Sequence, residues 1–468
     1  MKKVKKFYVL RGGALLSQKR AWLCFGKKGD TIVVPMSVIT KLYYFDKAKK
    51  DYARDFCDFI ASCELSKLMG NGVRLENGVY LKVMSVDIIP SEVSNSLAIS
   101  TIDDNSLPET LAVCLKLISL AKNSDNVILV SQNIPLLLRA NTLGIKSEYV
   151  PDTVFPAPDK RYTGKASIVL HHDIVDEIQS SGRFDINSLD PVRDKLILSK
   201  LSGLHENQFV FINNFYIARY SHGMLLKLAL DRAAGFDFKN FEQHCATEAL
   251  FLDPAISPLV VIEGVAGTGK TFVTIQSALA QVNKYYQKII IATPAVGGHV
   301  SDEEAEKYGY LPGDIIDKLS PMLGGIIDNI VNPIVDANVK IANMTLTEAR
   351  RDAEDKARTY FEDGIIEVQP LAYVAGHSLS RTFVIIDEAQ NIQPSYFLDI
   401  VTRAANGSKF AILGDPDQVK VSSLSRRING IVFMMEKWKN STNAFQISMD
   451  SKQCVRSALC QEAIELLS

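Results

Sequence analysis

Residues 264–271 read Gly-Val-Ala-Gly-Thr-Gly-Lys-Thr, and this stretch decides the fold of the C-terminal half of the chain. It matches the pattern G-x-x-x-x-G-K-[ST], in which backbone amides hold the phosphates of a nucleotide. An apolar run, 259–262, precedes it, and a helical segment, 272–282, follows it. The amides would then lie at the amino end of a helix, which favours anions. The context predicts a P-loop in a parallel α/β fold; a glycine-rich turn without function is the alternative.

Each residue type of this loop has a place in phosphate chemistry. Gly264, Gly267 and Gly269 permit a tightly curved backbone. We predict that Lys270 places its ammonium group on the β- and γ-phosphates and that the Thr271 hydroxyl ligates Mg²⁺. The predicted ATP-binding residues of this region are Gly264, Val265, Ala266, Gly267, Thr268, Gly269, Lys270, Thr271 and Phe272.

A second apolar run ends in two carboxylates: residues 382–391 read Thr-Phe-Val-Ile-Ile-Asp-Glu-Ala-Gln-Asn. Strands buried on both faces read as continuous apolar runs, and their carboxyl ends face the ligand crevice. We therefore predict that Asp387 holds Mg²⁺ through water and that Glu388 orients or deprotonates the attacking water. Taken alone, the run would favour an ordinary strand end with solvated acids, but the P-loop motif makes a catalytic pair the better interpretation.

A third apolar run, 409–413, leads into the segment 414–418, Gly-Asp-Pro-Asp-Gln. Polar residues at such strand ends commonly report the loss of the γ-phosphate to neighbouring elements. We predict this sensor role for Asp415 and Gln418, and a contribution of Gln418 to catalysis. The two residues between them are expected to form a plain turn.

The length of 468 residues exceeds what one hydrophobic core can hold, and the pattern predicts three domains. From residue 6 to about 150, short β-rich runs alternate with helical segments, which is typical of an α/β domain. The segment 151–160 carries three prolines and so indicates a boundary. Short apolar runs then predict a small β connector, followed by a domain with a parallel sheet. The predicted domains are 1–155, 156–232 and 233–468.

The charge of the chain is balanced, with 52 Lys and Arg residues against 53 Asp and Glu residues. Net charge therefore gives no argument for nucleic acid or for a membrane surface. Seven scattered cysteines, none in a C-x-x-C pair, indicate a reducing compartment. The amino-terminal apolar run is broken by Arg11 and two glycines, unlike a signal peptide, and no stretch reaches the roughly 20 apolar residues of a membrane span. We expect a cytoplasmic protein.

With these motifs in view, residues 235–468 resemble the PhoH-type ATPases, which are related to superfamily 1 helicases through a DEAQ box and a GDPxQ loop. Segment 240–254 resembles the adenine-side segment of that family, which implies that Gln243 reads the base. The resemblance implies a RecA-like ATPase that uses ATP and Mg²⁺, acts on RNA or single-stranded DNA, and forms a homo-oligomer, a hexameric ring by analogy. Further segments follow the family in order and spacing: 308–330, 366–378, Asn429-Gly430 and Arg456-Ser457.

Two departures from the family remove cations. Segment 292–294 reads Ala-Thr-Pro where relatives carry Ser-Arg-Pro, and 375–377 reads Ala-Gly-His where they carry Arg-Gly-Arg. Fewer cations near the phosphates would slow hydrolysis, and fewer near the nucleic acid would lower the affinity for polynucleotides. Arg403, as a sensor, and Arg456 remain candidates for stabilising the transition state, within the chain or across a subunit boundary. The Arg-Ser match favours Arg456, and a surface salt bridge is the alternative for both arginines.

The amino-terminal domain resembles the PIN nuclease domain that precedes the ATPase in two-domain relatives, because 7–16, 32–42, 75–83 and 128–145 follow the order of its elements. Cleavage by that family needs clustered carboxylates that hold a divalent metal. The corresponding positions of this chain lack them: Arg11 and Gly13, Thr40 and Lys41, Leu107, and Asn133. We expect an inactive nuclease kept for assembly or docking, unless Asp103, Asp104 or Glu109 substitutes in a shifted alignment.

The sequence leaves three functions open. The first is a Mg²⁺-dependent ATPase that remodels RNA or single-stranded DNA. The second is a scaffold that binds ATP as a structural ligand, which the lost nuclease acids favour and which Lys270, Asp387 and Glu388 oppose. The third is an ATP-gated ribonuclease, ranked last because of the missing acids. The pair His171-His172 is interpreted as surface at a strand end, so we assign no structural metal.

Overall fold

The computed structural model describes residues 5–44, 50–97, 106–229, 238–294, 315–374, 376, 378–422, 424–450, 459, 462 and 466. The chain divides into two compact units, Met1–Pro156 and Ala157–Ser468. The second unit contains both the region predicted as a connector and the region predicted as the ATPase domain. A separate domain boundary at 232/233 therefore stays a prediction.

The first unit is an α/β fold around a six-stranded sheet of order β3-β4-β2-β1-β5-β6. All of its strand pairs are parallel except β3 with β4. Its elements are β1 Phe7–Leu10, α1 Gly12–Leu15, β2 Thr31–Pro35, α2 Met36–Tyr43, α3 Lys50–Ser62, α4 Leu65–Met69, β3 Val73–Arg74, β4 Tyr80–Met84, α5 Ser91–Leu97, α6 Ser106–Ala121, β5 Val127–Ser131, α7 Ile134–Thr142 and β6 Lys146–Tyr149.

Both faces of this first sheet are covered, which explains the continuous apolar runs of β2 and β5. Successive side chains of a strand point to opposite faces. Leu10, Ile32 and Val130 accordingly lie in one core cluster. Val33 and Leu129 lie in another. An uninterrupted apolar run is what a parallel strand between two layers of helices requires.

The connector region forms a five-stranded sheet of order β7-β9-β10-β11-β8, antiparallel except for the pair β7 with β9. It also contains two helices that the prediction of a small β module omitted. The apolar residues Ile174, Val175 and Ile178 give the first of them a buried face. The elements are β7 Lys165–Ile168, α8 His172–Ser181, β8 Arg183–Asp185, α9 Lys195–Leu201, β9 Phe209–Ile212, β10 Tyr216–Ser221 and β11 Met224–Lys227.

The remainder of the second unit is built on a fully parallel six-stranded sheet of order β14-β13-β15-β16-β12-β17. Residues of the connector sheet share its core, since Phe209 and Ile217 pack with Phe445 of the edge strand. The elements are α10 Phe241–Phe251, β12 Leu259–Gly264, α11 Lys270–Leu279, β13 Lys288–Thr293, α12 Ile315–Ile341, α13 Leu346–Glu362, β14 Ile366–Pro370, α14 Leu371–Val374, β15 Thr382–Ile386, α15 Tyr396–Val401, β16 Lys409–Gly414, α16 Gly430–Lys437 and β17 Ala444–Met449.

The thickness of a bilayer sets a minimum length for a helix that crosses it. Among the helices that the structure describes, none is both long enough and apolar enough to span a membrane.

A buried lysine joins the parallel sheet to helix α10. Lys409 begins β16 and is 0% exposed. Its ammonium group donates to the carbonyl oxygens of Ala249 at 3.0 Å, Leu250 at 2.8 Å and Leu252 at 2.7 Å. These carbonyls lie at the carboxyl end of α10, where a helix attracts a cation. Burial lowers the pKa of Lys409 well below its ordinary value, so the three carbonyls must offset the loss of hydration.

We predict that Lys409→Met lowers the free energy of unfolding by about 2 kcal/mol, because it removes charge-assisted hydrogen bonds and leaves helix carbonyls without this donor. Chemical denaturation of the full chain measures the change. The matched control is Lys200→Met, at an exposed lysine of α9, which should change stability by less than about 0.5 kcal/mol. Equal effects of the two substitutions would contradict a capping role for Lys409.

Candidate nucleotide site

The predicted site residues converge because one strand lies between two others. Strand β16 pairs on one side with β12, with Val261 opposite Ile412, and on its other side with β15. All three strands are parallel, so their carboxyl ends lie at the same edge of the sheet. The segments that follow β12, β15 and β16 are those predicted to bind phosphate, to hold the catalytic acids and to sense the γ-phosphate.

The backbone of the P-loop shows why three of its positions are glycine. Gly267 and Gly269 have φ angles of 78° and 88°, in the left-handed region that residues with a Cβ rarely adopt. At Gly264 a Cβ would lie 2.8 Å from both the Cβ and the carbonyl oxygen of Met449, on the neighbouring strand β17. Gly269 precedes the first residue of α11, Lys270. The helix therefore begins two residues earlier than the helical segment predicted from the sequence.

The Lys270 ammonium group lies against the loop itself. It donates to the carbonyl oxygens of Gly264 at 2.6 Å and of Val265 at 2.9 Å. Burial lowers the pKa of Lys270, and nearby carboxylates, Asp387 first among them, oppose this effect. The lysine is thus a buried cation held by carbonyl dipoles and acids at the edge where phosphates are predicted to bind.

Thr271 and Asp387 are in direct contact. The threonine hydroxyl donates to carboxylate oxygen Oδ2 of Asp387 at 2.8 Å, although the two residues are far apart in the sequence. Asp387 directly follows β15, and its backbone N–H donates to the carbonyl of Ala292 on β13 at 3.0 Å. Magnesium prefers oxygen ligands. The adjacent hydroxyl and carboxylate therefore fit the predicted metal role.

Glu388 is held by two amide side chains. Gln390 donates to its carboxylate oxygen Oε2 at 2.7 Å, and Asn391 donates to the same oxygen at 3.5 Å. Glu388 itself has a left-handed backbone, with φ of 58°. A residue that must adopt this conformation is commonly part of a functional turn. The carboxylate of Glu388 is consequently fixed in orientation.

Gln390 also connects Glu388 to the segment after β16. Its amide oxygen accepts a hydrogen bond from the backbone N–H of Asp415 at 3.0 Å, and its amide nitrogen donates to the carbonyl of Gln418 at 3.3 Å. The side chain is 1% exposed. At Gly414 a Cβ would lie 2.8 Å from the amide oxygen of Gln390, so the close approach needs glycine there. One buried amide therefore joins the predicted catalytic and sensor segments.

Comparison with known proteins assigns the region that carries this site. Residues 237–468 match the protein-family model described as PhoH-like protein. The C-terminal region contains a PhoH family domain. Over the whole chain, Protein PhoH2 of Bacillus subtilis (strain 168) is 26% identical, and the match covers 99% of this chain and 100% of that protein. The PhoH-like protein of the same strain is 34% identical over 203 residues, covering 43% of this chain and 56% of the relative.

Similarity to a solved structure is weaker. A structure described as an ATPase domain matches with a TM-score of 0.20 at 12% identity, covering 34% of this chain and 57% of that chain. Such a score carries no argument about the PhoH domain. The organisation of the site therefore rests on the contacts described above.

Gln243, predicted to read the base, contacts the P-loop of the PhoH domain. Its amide nitrogen donates to the carbonyl of Thr268 at 3.0 Å, and its amide oxygen accepts from the backbone N–H of Lys239 at 2.9 Å. The Gln243 side chain is buried, and the residue lies in the first turn of α10, whose N-cap is Asn240. Gln243 therefore braces the loop from the α10 side, and reading of the base stays a prediction.

The sensor candidates after β16 occupy different environments. Asp415 is buried, and burial raises the pKa of its carboxyl group, while the backbone N–H of Asp417 and that of Ala266 in the P-loop oppose the rise. Asp415 thus contacts the phosphate-binding loop directly. The residue Gln418 is exposed. Its backbone N–H donates to the carbonyl of Asp415 at 3.1 Å, so the segment closes as a turn, and a catalytic role of Gln418 stays a prediction.

The described part of the structure does not place either arginine candidate at the site. The carbonyl of Arg403 accepts from the backbone N–H of Leu379 at 3.1 Å, ahead of the amino end of β15. Asp387 follows the opposite end of that strand, so this placement does not support Arg403 as a sensor within its own chain. Arg456 lies outside the described residues. A role for either arginine across a subunit boundary stays a prediction.

The first unit has a buried cation at the carboxyl end of β1. Arg11 is 7% exposed, and its guanidinium group donates to the hydroxyl of Ser106 at 3.0 Å. Glu109, one of the possible substitute acids, accepts from the backbone N–H of Ser37 at 2.7 Å. Asp103 and Asp104 lie outside the described residues. No group of three or more His, Cys, Asp or Glu residues that could hold a metal occurs in the described part of the chain.

The other positions assigned to lost nuclease acids have local structural roles. The hydroxyl of Thr40 donates to the carbonyl of Met36 within α2 at 3.2 Å. Asn133 caps α7 by accepting from the backbone N–H of Leu136 at 2.9 Å. Gly13 lies so close to Gln132 that a Cβ would be 2.8 Å from its amide oxygen. These contacts explain the residues without reference to a metal.

Two features of the site were missed by the sequence interpretation. The position of β16 between β12 and β15 is a property of long-range strand pairing. The clamp formed by Gln390 was missed although this residue and Asn391 follow the acidic pair after a single residue, Ala389. Two amide residues so close to two carboxylates at the end of a buried strand were a usable signal, because buried polar groups need partners.

We predict that Gln390→Leu slows ATP hydrolysis by about tenfold or more while the KM for ATP changes by less than about twofold, because it frees Glu388 without altering the P-loop. Steady-state kinetics measure both constants. The control is Gln287→Leu, at an exposed glutamine before the amino end of β13. If Gln390→Leu raised KM and left kcat unchanged, Gln390 would not be positioning Glu388.

Proposed function

We propose that this protein is a Mg²⁺-dependent ATPase that couples ATP turnover to the binding or remodelling of RNA or single-stranded DNA. The observation that carries the proposal is the 2.8 Å hydrogen bond between Thr271 and Asp387. It joins the P-loop helix to the acidic segment at the edge where Lys270 also lies. This set of groups suits phosphoryl transfer, in which positioning and charge stabilisation supply most of the catalysis.

Each side chain has a separate task in this mechanism. The Lys270 ammonium group leaves the carbonyls of Gly264 and Val265 and stabilises phosphate charge. Thr271 and Asp387 would hold Mg²⁺, which neutralises charge on the triphosphate when bound. Glu388 orients the attacking water and accepts its proton, while Gln390 keeps the carboxylate in place. Asp415 would report changes at the phosphates through its contact with Ala266.

Support for the polynucleotide part comes from the resemblance of the DEAQ and GDPxQ segments to superfamily 1 helicases. The balanced charge of the chain adds nothing to it. We propose a homo-oligomeric ring on the same analogy, in which Arg403 or Arg456 of one subunit could serve the site of the next. Salt dependence of binding would reveal how many phosphates the protein contacts.

For the first unit we propose a PIN-like fold without nuclease activity, used for assembly or docking. The supporting observation is Arg11, a buried guanidinium at the carboxyl end of a parallel strand. A fixed positive charge there disfavours a divalent cation.

The proposed ATPase can be separated from an ATP-binding scaffold with two substitutions. We predict that Glu388→Gln lowers kcat by about 100-fold or more with ATP still bound, because the general base is lost. Lys270→Ala should weaken ATP binding as well as turnover. Exposed Glu362→Gln and Lys284→Ala are the matched controls. Hydrolysis is measured by phosphate release, with and without RNA or single-stranded DNA. Wild-type protein that bound ATP without turnover would favour the scaffold.

The metal role of the threonine is testable by titration. We predict that chelation of divalent cations abolishes hydrolysis and that Thr271→Ala raises the Mg²⁺ concentration for half-maximal activity by about tenfold, because one oxygen ligand is removed. The same titration on the Lys284→Ala control should match wild type. An unchanged Mg²⁺ requirement in Thr271→Ala would argue against this hydroxyl as a ligand.

The nuclease question has its own assay. We predict no Mn²⁺-dependent cleavage of RNA by the full chain, with or without ATP, because Arg11 replaces a metal-binding carboxylate. Gel analysis of labelled RNA is the measurement. Cleavage that disappeared in an Asp103→Asn, Asp104→Asn variant and persisted in Lys270→Ala would establish an active nuclease instead.

A further inference from the structure

A short segment of the second unit, residues 161–165, is fixed along the edge of the parallel sheet, and we call it the anchor segment. The backbone N–H of Ser448 in the edge strand β17 donates to the carbonyl of Thr163 at 2.8 Å. Gly164 has a φ of 73°, and a Cβ there would lie 1.8 Å from the carbonyl oxygen of Gln446. Only glycine can make this approach. The anchor segment therefore has a defined position beside β17.

Arg161 of the anchor segment makes a buried ion pair with Glu263. Guanidinium nitrogen Nη1 lies 3.1 Å from carboxylate oxygen Oε1, and both side chains are 10% exposed. Glu263 lies opposite Ser448 in β17 and opposite Gly414 in β16, and it directly precedes Gly264. The arginine thus reaches past the edge strand to the strand that carries the P-loop. The contact links residues 102 positions apart in the sequence.

Apart from Arg161 and Lys270, the charged groups of the described residues that act on Glu263 are acidic. Asp415 and Asp417 face it from the segment after β16, and Glu436 faces it from α16. Arg426 pairs with Asp417, and Lys439 pairs with Glu436 at 3.1 Å. The Glu263 carboxylate also raises the pKa of Lys270 in the P-loop, against the larger effect of burial. Arg161 is therefore the cation that balances Glu263 next to the predicted phosphate site.

We propose that Arg161 is a positioning residue of the nucleotide site: by pairing with Glu263, it sets the net charge beside the phosphate-binding loop and thereby the affinity for a nucleoside triphosphate. The inference rests on the proposed function, because it assumes that ATP binds at this loop. It adds a residue from outside the parallel sheet to the site.

The ion pair makes nucleotide binding depend on pH in a defined direction. Burial raises the pKa of the Glu263 carboxyl group to about 7, with Arg161 opposing the rise. Below that pH Glu263 is protonated, and the positive charge of Arg161 is left to attract the triphosphate. Above it the pair is neutral overall. The affinity for ATP is therefore expected to fall as the pH rises through about 7, in addition to any change due to titration of ATP itself.

The experiment measures the Kd of Mg²⁺-ATP by calorimetry between pH 6 and pH 9 on full-length variants. Glu263→Gln cannot titrate, so its profile gives the contribution of the nucleotide alone. Relative to that profile, wild type should lose about five- to tenfold in affinity across the step, as expected for one charge near the ligand. Arg161→Met should bind more weakly than wild type at pH 6, and its step should move to higher pH because the cation that lowers the Glu263 pKa is gone. Arg161→Lys should keep the step near its original pH.

The matched control is Arg219→Met. Arg219 also lies in the connector and contacts β17, with its guanidinium 5.3 Å from the ring of Phe445 and 3.0 Å from the amide oxygen of Asn207. This contact is near the amino end of β17, away from Glu263. The substitution should lower the melting temperature and leave the pH step unchanged. A merely structural role of Arg161 predicts the same behaviour for Arg161→Met.

The outcomes are distinguishable. A wild-type profile that coincides with that of Glu263→Gln, or a step that stays at the same pH in Arg161→Met, overturns the role of Arg161 while ATP binding stands. Wild-type protein that binds no ATP at any pH overturns the proposed function and this inference with it. Kinetics give an independent readout, since Arg161→Met should raise the KM for ATP several-fold and change kcat by less than about twofold.

Discussion

The pairing of β16 between β12 and β15 is the constraint on which the site depends. Parallel strands place their carboxyl ends at one edge of the sheet, and the segments that follow β12, β15 and β16 meet there because these three strands are consecutive in the sheet. With β16 between the other two, Thr271 at the start of α11 reaches past the end of β16 to Asp387, and Gln390 reaches the segment after β16. An order that placed other strands between these three would preserve every motif and would separate the lysine, the acids and the segment after β16.

Because these segments converge, charged side chains are buried at the site, and their burial shifts their pKa values. Lys270 and Asp415 both have pKa values shifted towards the neutral form by burial, and each is restored in part by an oppositely charged or dipolar neighbour. Burial also shifts the pKa of Lys409, at the other end of β16, towards the neutral form, and helix carbonyls oppose this effect by accepting hydrogen bonds from its ammonium group. Fixed dipoles and charges in a region shielded from water interact more strongly than they would in solvent. Such an environment suits the proposed reaction, because it would stabilise phosphate charge without reorganisation.

Much of the fold and part of the site could be predicted from local sequence because the relevant patterns are local. Continuous apolar runs indicate buried parallel strands, and the glycines of the P-loop are required by its own backbone angles. The missed features are those set by distant contacts. Nothing near Arg161 in the sequence indicates Glu263, and α8 is short enough for its apolar residues to be taken as part of a β-rich region. The position of Arg403 is likewise set by a distant contact, because the hydrogen bond from Leu379 to its carbonyl places it ahead of the amino end of β15.

The two parallel sheets of this chain show that the side chains at the carboxyl edge, rather than the fold, determine the chemistry. In the second unit this edge brings a lysine, a hydroxyl and carboxylates together, a combination that suits a phosphate with its metal ion. In the first unit the same edge places Arg11 against Ser106, and Glu109 serves as a hydrogen-bond acceptor for Ser37. A guanidinium cannot lose its charge at physiological pH, so it occupies permanently the electrostatic role that a bound divalent cation would have. Restoring a carboxylate at position 11 alone would remove the hydrogen bond from Arg11 to Ser106, and metal binding would need further oxygen ligands around it.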